Sequence, residues 1–320
     1  MAGKALVTGV AGFIGSHLAE ALLREGWEVV GIDAFTDAYD PAVKERNAAA
    51  LLGREGFRLV RGDLNDADLG PLLRGADTVF HQAAQAGVRT SWGKDFDRYL
   101  SANIRATQRL LEACREVPLR RFVFASSSSV YGEARDLPLR ESSPLRPHSP
   151  YGVTKLAAEN LGHLYRANHG VPFTALRYFT VFGPRQRPDM AFHRLFRAAY
   201  GMGEITIFGT GEQTRDFTYV GDIVCANLLA ARADRVTGVF NIGGGARVSL
   251  ADVIGRIESI AGREVKRRSV GWEKGDVRDT WADCSAAERE LRYRPETGLD
   301  EGLRRMDAWF RNGLREEDPS

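Results

Sequence analysis

The stretch "KALVTGVAGFIGSHLAEALLREG", residues 4–26, contains three patterns in succession. A short apolar run comes first, a glycine-rich turn follows, and an amphipathic segment completes the stretch. In that last segment Phe13, Leu18, Leu22 and Leu23 recur at helical spacing, so they share one face of a helix. A strand, a glycine turn and a helix in this order are typical of the first unit of a nucleotide-binding sheet.

The three glycines of this stretch, Gly9, Gly12 and Gly15, have the spacing G-x-x-G-x-x-G. The first permits a tight turn, the second lets a pyrophosphate approach the backbone, and the third lets the helix pack close to the sheet. The N-terminus of the helix then offers N–H groups and the positive end of its dipole to phosphates. The stretch therefore predicts a dinucleotide site.

A second strand, "WEVVGID", ends in Asp33, 24 residues after Gly9. This separation is close to that of an acidic residue that binds the adenosine ribose. A carboxylate there accepts hydrogen bonds from both ribose hydroxyls and repels a 2′-phosphate, so it favours NAD over NADP. The competing interpretation is an Asp that only caps a turn at the end of the strand.

Strands and helices continue to alternate along the chain. Further strands are expected at 57–63, 77–84, 120–127 and 172–179, and the clearest helices between them at 97–117 and 150–168. Alternation of this kind predicts a Rossmann-type α/β fold with a doubly wound parallel sheet. We place this domain at residues 1–178 and a smaller mixed α/β substrate lobe at 179–320, with a late strand near 239–242 that returns to the sheet. The loop at 34–50 is expected to be mobile.

Composition excludes several classes of partner. The 320 residues are 43% hydrophobic, which suits a large core, and the formal net charge is +2, which favours neither a nucleic-acid nor a membrane partner. The three cysteines, Cys114, Cys225 and Cys284, are far apart and show no metal-ligand spacing, so no metal is expected. The chain has no evident signal peptide and no apolar run of transmembrane length, so we expect a cytoplasmic protein.

The segment "HSPYGVTKLAAEN" brings a tyrosine and a lysine onto one face of a helix. Ser149 is an N-cap residue, Pro150 stands in the first turn, and Tyr151 and Lys155 are four residues apart. A free tyrosine is a poor base at neutral pH, but a nearby ammonium and an oxidised nicotinamide both favour its phenolate. Tyr151 could then remove a hydroxyl proton during hydride transfer, with a serine beside it. The alternative is a surface helix with a solvated lysine.

Several further motifs follow in order along the chain. They are "TGVAGFIGSHL", "GDL" at 62–64, "HQAA" at 81–84, "SSSSVYG" at 126–132, "SPYGVTK", "RYFTVFGP", "IFGTGEQTRDFTYVGDI" at 207–223, "FNIGGG" at 240–245 and "WADCSAAERELRYRPETGLDEGL" at 281–303. Together these motifs cover nearly the whole chain. The sequence resembles the extended short-chain dehydrogenases/reductases, and among them the nucleotide-sugar epimerases.

The resemblance implies a role for each matching residue. Catalytic positions match Ser127, Tyr151 and Lys155. NAD-contacting positions match Gly9, Gly12, Phe13, Ile14, Gly15, Asp33, Asp63, Leu64, Ala83, Ala84, Asn103, Tyr151, Lys155 and Phe179. Positions around the uridine diphosphate match Thr206, Phe208, Arg215, Asp276 and Arg278. A homodimer through the helices at 97–117 and 150–168 is also implied.

The serine run narrows the reaction. Relatives that lose water carry an Asp-Glu pair at the positions of Ser128 and Ser129, and relatives that decarboxylate a uronate carry a Glu at Ser129. Hydroxyls donate and accept without adding charge, so the site is suited to reversible hydride transfer. "AAQAGVRTSW" at 83–92 resembles the same segment of UDP-glucuronate 4-epimerases, and Thr180 stands where UDP-glucose 4-epimerases usually carry Asn. The hypothesis is C4 epimerisation of UDP-glucuronate to UDP-galacturonate through a transient 4-keto sugar.

In that hypothesis the substrate contacts are Ser127, Ser128, Thr180 and Arg187, and Arg185, Arg187 and Arg194 supply a cationic neighbourhood. Hydrogen bonds from Ser127, Ser128 and Thr180, aided by an arginine, would keep the substrate carboxylate out of alignment for loss of CO₂. Three alternatives stay open. The substrate could be UDP-glucose or a UDP-N-acetylhexosamine; the protein could be a net dehydrogenase; or it could be a non-catalytic NAD-sensing protein. Proteins of the last kind tend to lack the Tyr/Lys pair that this chain keeps.

Overall fold

The structure is a computed structural model that describes residues 3–133, 136–233, 236–271 and 277–317. Its strands, in chain order, are β1 Lys4–Thr8, β2 Glu28–Asp33, β3 Phe57–Arg61, β4 Thr78–His81, β5 Arg121–Ser127, β6 Phe173–Tyr178, β7 Val181–Phe182, β8 Ile205–Phe208, β9 Thr214–Asp216, β10 Thr218–Tyr219, β11 Gly238–Ile242, β12 Arg247–Ser249 and β13 Arg267–Val270. Seven of them form one parallel sheet in the order β11-β6-β5-β4-β1-β2-β3. The predicted Rossmann-type α/β fold is confirmed.

Helices connect these strands. They are α1 Phe13–Arg24, α2 Pro41–Ala49, α3 Leu69–Leu73, α4 Phe96–Tyr99, α5 Ala106–Cys114, α6 Pro150–His169, α7 Ala191–Ala199, α8 Val220–Arg232, α9 Leu250–Ala261, α10 Ser285–Leu291 and α11 Leu299–Glu317. A π-helical segment, Leu100–Arg105, joins α4 to α5, so the run predicted at 97–117 is helical from Phe96 to Cys114, with one wider turn, and ends three residues early. Short 3₁₀ turns lie at Arg89–Ser91, Gly93–Asp95 and Ser128–Val130.

The parallel sheet is buried on both faces, because neighbouring residues of a strand point to opposite sides. On β1, Val7 belongs to an apolar cluster that contains Leu18 of α1, whereas Leu6 belongs to a second cluster that contains Leu110 of α5. The strands are in register, since Thr8 pairs with Ile32 of β2 and with His81 of β4. The carboxyl ends of β1, β2 and β4 therefore meet at one edge.

The glycine turn after β1 has the close contacts that its spacing predicts. Gly9 has φ of +67°, and a Cβ there would lie 2.8 Å from the backbone of Ala83. A Cβ on Gly15 would overlap the carbonyl oxygen of Gly9. Any side chain at Gly15 would thus push α1 away from the end of β1, which is why the third glycine of the motif matters.

The segment 34–50 departs from the sequence expectation, because it contains helix α2 rather than only a mobile loop. Asp40 is its N-cap, with a side chain that accepts a hydrogen bond of 2.9 Å from the N–H of Ala42, and Pro41 stands at the first helical position. An Asp followed by a Pro is a recognised sequence signal for the start of a helix. α2 lies against the nucleotide end of the sheet, where Lys44 and Asn47 are buried.

The second part of the chain is partly tied to the central sheet. β11 pairs in parallel with β6, from Gly238 opposite Thr174 to Ile242 opposite Tyr178. Outside the sheet, three two-stranded pairs form: β7 with β10, β8 with β13, and β9 with β12. The chain therefore returns to the central sheet after leaving it at Tyr178.

Across the described ranges, no helix combines the length and the apolar character that crossing a membrane requires. In the same ranges, no group of three or more His, Cys, Asp or Glu side chains is placed to ligate a metal ion. The three cysteines are free thiols; Cys114 is buried, and Cys225 and Cys284 are half-buried.

Gly162 of α6 tests the helix-to-sheet packing. A Cβ there would overlap the ring of Phe173 on β6, so Gly162→Ala is expected to lower the free energy of unfolding by about 1–3 kcal/mol through overpacking. Gly255 of α9 is the matched control, because a Cβ there meets nothing within 4 Å. Gly255→Ala is expected to be neutral or to stabilise by up to about 1 kcal/mol. Urea unfolding of both variants measures the difference, and equal effects would contradict this packing.

Candidate active site

A cleft of about 760 Å³ lies at the carboxyl ends of the sheet strands. Ligands bind at this edge in open α/β sheets, and the volume suits a cofactor or a substrate of moderate size. Most of the expected site residues line it: Gly9, Gly12, Phe13, Ile14, Gly15, Asp33, Asp63, Leu64, Ala83, Ala84, Ser127, Ser128, Tyr151, Lys155, Phe179, Thr180 and Arg187. The fold thus gathers residues from the turns after β1 and β4, from α1, from the ends of β2 and β5, from α6 and from the segments that follow β3, β6 and β7.

The nucleotide end of the cleft is built around the carboxylate of Asp33. Its Oδ2 accepts a hydrogen bond of 3.1 Å from the N–H of Ala11, and its Oδ1 accepts one of 2.8 Å from the N–H of Phe35. Gly12 is the N-cap of α1 and has no side chain, so it leaves the first-turn N–H groups of the helix without a side-chain cap. The glycine turn, the helix N-terminus and the carboxylate are the parts that a dinucleotide requires.

Two residues of α2, neither of them predicted from the sequence, support this end of the cleft, and Lys44 also lines it. The Nζ of Lys44 lies 3.7 Å from Oδ1 of Asp33 and 3.1 Å from Oγ1 of Thr36. Asn47 donates a 3.0 Å hydrogen bond to the carbonyl oxygen of Ala11. Burial lowers the pKa of Lys44, although the charge of Asp33 acts in the opposite direction. α2 therefore fixes the glycine turn and places a cation beside Asp33.

Helix α6 starts where the sequence predicts. The Oγ of Ser149 accepts a 3.1 Å hydrogen bond from the N–H of Gly152, Pro150 occupies the first turn, and the helix ends at Gly170 with φ of +72°. A Cβ on Gly152 would lie 2.5 Å from the carbonyl oxygen of Ser129. The absence of a side chain at this position lets the first turn of α6 approach the serine run closely.

That approach places the Tyr151 phenol next to Ser127. Burial raises the pKa of Tyr151, while the hydrogen bond to Ser127 and the positive charge of Arg187 act to lower it. A raised pKa disfavours the phenolate that is expected from the sequence. In the protein alone, the cost of moving the charged phenolate out of water is the dominant effect. Ser127 also accepts a 3.1 Å hydrogen bond from the N–H of Ser129 and so fixes the turn.

Lys155 lies one helical turn after Tyr151, and its side chain is almost fully buried. Its Nζ sits 4.5 Å from the ring centre of Phe124, a cation–π contact. Burial lowers the pKa of Lys155 to about 7, and the charge of Glu159 partly offsets this. At neutral pH the amine therefore gains or loses a proton at small cost in free energy.

Arg187 points into the cleft from the segment after β7. Its guanidinium binds Asp189 through two hydrogen bonds, Nε to Oδ1 at 3.0 Å and Nη2 to Oδ2 at 2.7 Å. Arg185 is different, because it pairs with Glu20 of α1 at 2.7 Å and does not line the cleft. Only Arg187 of these two arginines supplies charge to the site.

Asn103 is an expected NAD contact that the structure does not bring to the cleft surface. Its side-chain oxygen accepts from the N–H of Gln85 at 2.8 Å, and its NH₂ donates to the carbonyl of Gln85 and to Oγ1 of Thr154, both at 2.9 Å. The amide is fully engaged in tying the 83–87 loop to α6. Asn103 thus supports Ala83 and Ala84 from behind.

The expected uridine-diphosphate residues lie apart from the cleft lining. Thr206 and Phe208 are on β8, and Arg215 on β9 donates to the carbonyl oxygens of Val277 and Arg278 at 2.6 and 2.8 Å. Asp276 lies outside the described residues. Arg89, which the sequence reading did not select, lines the cleft and stacks 4.0 Å above the ring of Phe208. This contact joins the cleft to β8.

The family model described as NAD dependent epimerase/dehydratase family matches residues 5–243, which include every strand of the central sheet and the Tyr151/Lys155 helix. The chain belongs to the NAD dependent epimerase/dehydratase family. The resemblance expected from the motifs is therefore confirmed.

Members of this family resemble the chain over nearly its full length. A UDP-glucuronate 4-epimerase of Thermodesulfobacterium geofontis is 38% identical, covering 98% of this chain and 97% of the relative. A Bacillus subtilis protein, YtcB, described as an uncharacterized UDP-glucose epimerase, is 48% identical over 96% of this chain and 98% of its own. The crystal structure of a Bacillus cereus UDP-glucuronic acid 4-epimerase with UDP-glucuronic acid and NAD is 44% identical, with a TM-score of 0.93, covering 97% of this chain and 99% of that one.

His81 of the family's "HQAA" motif supports the site from below. Its ring is fully buried, with Nδ1 2.7 Å from Oγ1 of Thr8 and Nε2 2.9 Å from Oγ1 of Thr107. Thr8 in turn accepts a 3.1 Å hydrogen bond from the N–H of Ala83. Burial, together with the charge of Lys155, lowers the pKa of His81 to about 3. His81 is therefore a packed strand histidine.

This pKa gives the protein a measurable acid sensitivity. A histidine held neutral in the folded state takes up its proton only on unfolding, so its contribution to stability is complete above about pH 6.5 and is lost toward pH 3. Between pH 7.5 and 5.5 the loss from His81 alone is about 1.4 kcal/mol. In His81→Asn the free energy of unfolding is expected to fall by about 1.4 kcal/mol less than in the wild type over this pH range. An equal decrease in the variant and the wild type, measured by urea unfolding, would contradict the assignment.

Proposed function

We propose that this protein interconverts UDP-glucuronate and UDP-galacturonate by NAD-dependent epimerisation at C4. The observation that carries the proposal is the hydroxyl-lined end of β5. There Ser127 is hydrogen-bonded to the Tyr151 phenol, and Ser128 and the guanidinium of Arg187 line the same cleft. No Asp or Glu occupies positions 128 and 129, so the site lacks the acid that relatives use for dehydration or decarboxylation.

The residues at the nucleotide end fit NAD. The glycine turn leaves open space beside the first turn of α1, where a phosphate can approach the backbone. A Cβ on Gly12 would lie 3.0 Å from the carbonyl oxygen of Gly9, so a side chain at this position would crowd the turn. Asp33 offers its carboxylate at the position of the adenosine ribose. Held there by the glycine turn and Asp33, NAD would supply the hydride acceptor for C4 of the sugar and the hydride donor for its return to the opposite face.

In this proposal Tyr151 takes the proton of the 4-hydroxyl group. The phenol is neutral in the protein alone, so the charges that Arg187 and the bound cofactor bring to the cleft have to favour its ionised form. Lys155, with a pKa of about 7, accepts and returns a proton near neutral pH. Ser127 holds the same sugar oxygen through its hydroxyl.

The carboxylate of the substrate needs restraint. A 4-keto uronate is a β-keto acid, and it loses CO₂ when the C5–C6 bond lies parallel to the π orbitals of the carbonyl. We assign this restraint to the hydroxyls of Ser128 and Thr180 and to the guanidinium of Arg187, because the single proton of the Ser127 hydroxyl is donated to the 4-oxygen. When these three groups hold the carboxylate, the C5–C6 bond stays close to the plane of the carbonyl group, where it is not aligned for cleavage.

We also propose that the two parts of the chain bind different molecules. Residues 1–178, with β11, hold the cofactor, and residues 179–320 supply most of the contacts to the nucleotide sugar. Thr206, Phe208, Arg215, Asp276 and Arg278 are proposed for the uridine diphosphate. The stacking of Arg89 on Phe208 supports the placement of this subsite beside the cleft.

We also propose a homodimer through the helical run at 96–114 and α6. Three large apolar side chains are exposed there: Leu100 at 38%, Val153 at 49% and Leu164 at 55%. Exposed apolar side chains on neighbouring helices are typical of an interface. Sedimentation equilibrium measures the mass in solution, and a monomer at micromolar concentration would contradict this arrangement.

A second substrate has one observation in its favour. The Bacillus subtilis relative, at 48% identity, is described as a UDP-glucose epimerase. Thr180 and Arg187 favour the uronate instead, because a guanidinium and a hydroxyl suit a carboxylate better than a hydroxymethyl group.

Product analysis separates these substrates. Purified protein incubated with UDP-glucuronate and no external reductant is expected to form UDP-galacturonate, detected by ¹H NMR, at a kcat/KM about tenfold or more above that for UDP-glucose. Tyr151→Phe is expected to lower kcat by about 10²–10⁴-fold. Tyr165→Phe, a buried tyrosine of the same helix away from the cleft, is the control and should retain activity. Faster turnover of UDP-glucose, or full activity in Tyr151→Phe, would refute the proposal.

Thr180→Val tests the restraint of the carboxylate. The variant keeps the shape of the side chain and removes its hydroxyl, so the fraction of product that appears as UDP-pentose is expected to rise about threefold or more. Thr237→Val, just before the amino end of β11, is the matched control. Both fractions are measured by ion-exchange chromatography. If the fraction of UDP-pentose in Thr180→Val is unchanged, Thr180 does not help to hold the substrate carboxylate.

A further inference from the structure

A buried ion pair lies behind the catalytic helix, and the reaction proposed above does not use it directly. Glu159 of α6 and Arg177 of β6 are 1% and 3% exposed, and Nη2 of Arg177 lies 2.7 Å from Oε2 of Glu159. Nε of Arg177 donates to the other carboxylate oxygen at 2.9 Å. The hydroxyl of Ser126 also donates to Oε1 of Glu159. Both oxygens of the carboxylate are therefore occupied.

Glu159 is also the residue one helical turn after Lys155. Side chains four apart on a helix are neighbours, and a lysine and a glutamate at this spacing ordinarily attract each other. In a buried site the attraction is much stronger than at the surface. Among the residues that the structure describes, no ion pair joins these two; the Nζ of Lys155 lies over the ring of Phe124 instead.

Arg177 is fixed in this position by partners on other elements. Its Nη1 donates to the hydroxyl of Tyr131 at 2.9 Å, and that hydroxyl donates to Oδ1 of Asn241 on β11 at 2.6 Å. Nη1 also reaches the carbonyl of Glu141 at 3.3 Å. The guanidinium is thus held against Glu159 by a buried network that crosses from β6 to β11.

We propose that Arg177 and Glu159 are a positioning pair whose task is to keep the Lys155 amine turned to the cleft: Arg177 occupies the carboxylate that would otherwise bind Lys155 and draw it away from Tyr151. The inference rests on the proposed role of Lys155 and deepens it. Neither residue lines the cleft, so neither is a catalytic residue.

The charge of Lys155 depends on its burial and on the carboxylate of Glu159. Burial lowers its pKa, and Glu159 raises it. A freed Glu159 that pairs with Lys155 would raise this pKa further and would cancel the positive charge that the amine presents to Tyr151. The titratable and charged groups that face Lys155 or its immediate partners are Tyr151 and Glu159 on α6, His81 on β4, Tyr99 on α4, Arg177 on β6 and Arg187 from the segment after β7.

The test compares two variants with the wild type. Arg177→Met frees Glu159, and the double variant Arg177→Met/Glu159→Gln removes the freed charge as well. Competitive acetylation with isotopically labelled acetic anhydride across pH, followed by mass spectrometry, measures the pKa of the Lys155 amine without any substrate. Steady-state kinetics with UDP-glucuronate then gives kcat and KM from pH 6 to 9.

In Arg177→Met the pKa of Lys155 is expected to rise by about one unit or more, kcat to fall about tenfold or more, and KM to change by less than about threefold. The acid limb of the kcat profile should move to higher pH, because Tyr151 loses the field of an unpaired ammonium. In the double variant the pKa of Lys155 is expected to return to within about half a unit of the wild-type value, and kcat to within about threefold. A pKa of Lys155 that is the same in all three proteins overturns the proposal.

Loss of stability alone has to be separated from this effect. Gly162→Ala, a destabilising change on the same helix, is the control: it should leave the pKa of Lys155 and the pH profile unchanged. If it moves them as Arg177→Met does, the pair is only structural. If Arg177→Met does not fold, Arg177→Lys replaces it: the lysine keeps the positive charge but cannot bind both carboxylate oxygens of Glu159. The pKa of Lys155 should then also rise, and an unchanged pKa of Lys155 overturns the proposal. A wild type inactive on UDP-glucuronate refutes the proposed function, and the labelling still decides the pair.

Discussion

The close approach of helix α6 to the end of β5 is the contact on which the active site depends. Gly152 has no side chain, and its backbone lies where a Cβ would be 2.5 Å from the carbonyl of Ser129. Ser149 caps the helix just before this point, so the first turn is both fixed and close. As a result the Tyr151 phenol reaches Ser127, and Lys155 follows one turn later. Any residue larger than glycine at 152 would separate the base from the hydroxyls.

The same closeness creates an electrostatic problem that the surrounding residues have to solve. Burial raises the pKa of Tyr151 and lowers that of Lys155, so both changes oppose the charged pair that proton removal needs. Positive charge from Arg187 works in the required direction, and so does an amine that no carboxylate has captured. The buried pair of Glu159 and Arg177 contributes to this, because Arg177 binds the carboxylate of Glu159 and leaves the Lys155 amine without an ion-pair partner on Glu159.

The sequence predicted those parts of the site that depend on local pattern. Glycine spacing, strand-to-helix alternation, the Ser149 cap and the Tyr151/Lys155 spacing all describe neighbours along the chain, and the structure has each of them. The resemblance to a family supplied residues from distant segments, and most of these meet in the cleft. Helix α2 was missed because its composition is polar and only the Asp40-Pro41 start signal identifies it.

Long-range pairings were the part that the sequence did not reveal. Asn103 matches a cofactor position, but only the structure shows that its amide is engaged with Gln85 and Thr154. Arg185 and Arg187 are two residues apart and look alike, yet one binds Glu20 of α1 and the other lines the cleft. Such outcomes depend on which distant partner lies within reach of a flexible side chain, and that depends on the completed fold.

The central claim is that one closed site removes hydrogen from C4 and gives the same hydrogen back. Deuterium placed at C4 of UDP-glucuronate tests it most directly, in protein supplied with only catalytic NAD and with excess unlabelled NADH in solution. The account predicts that the UDP-galacturonate formed retains the deuterium at C4, as read by mass spectrometry and ²H NMR. Product in which the C4 deuterium has been replaced by hydrogen from the solution would contradict it.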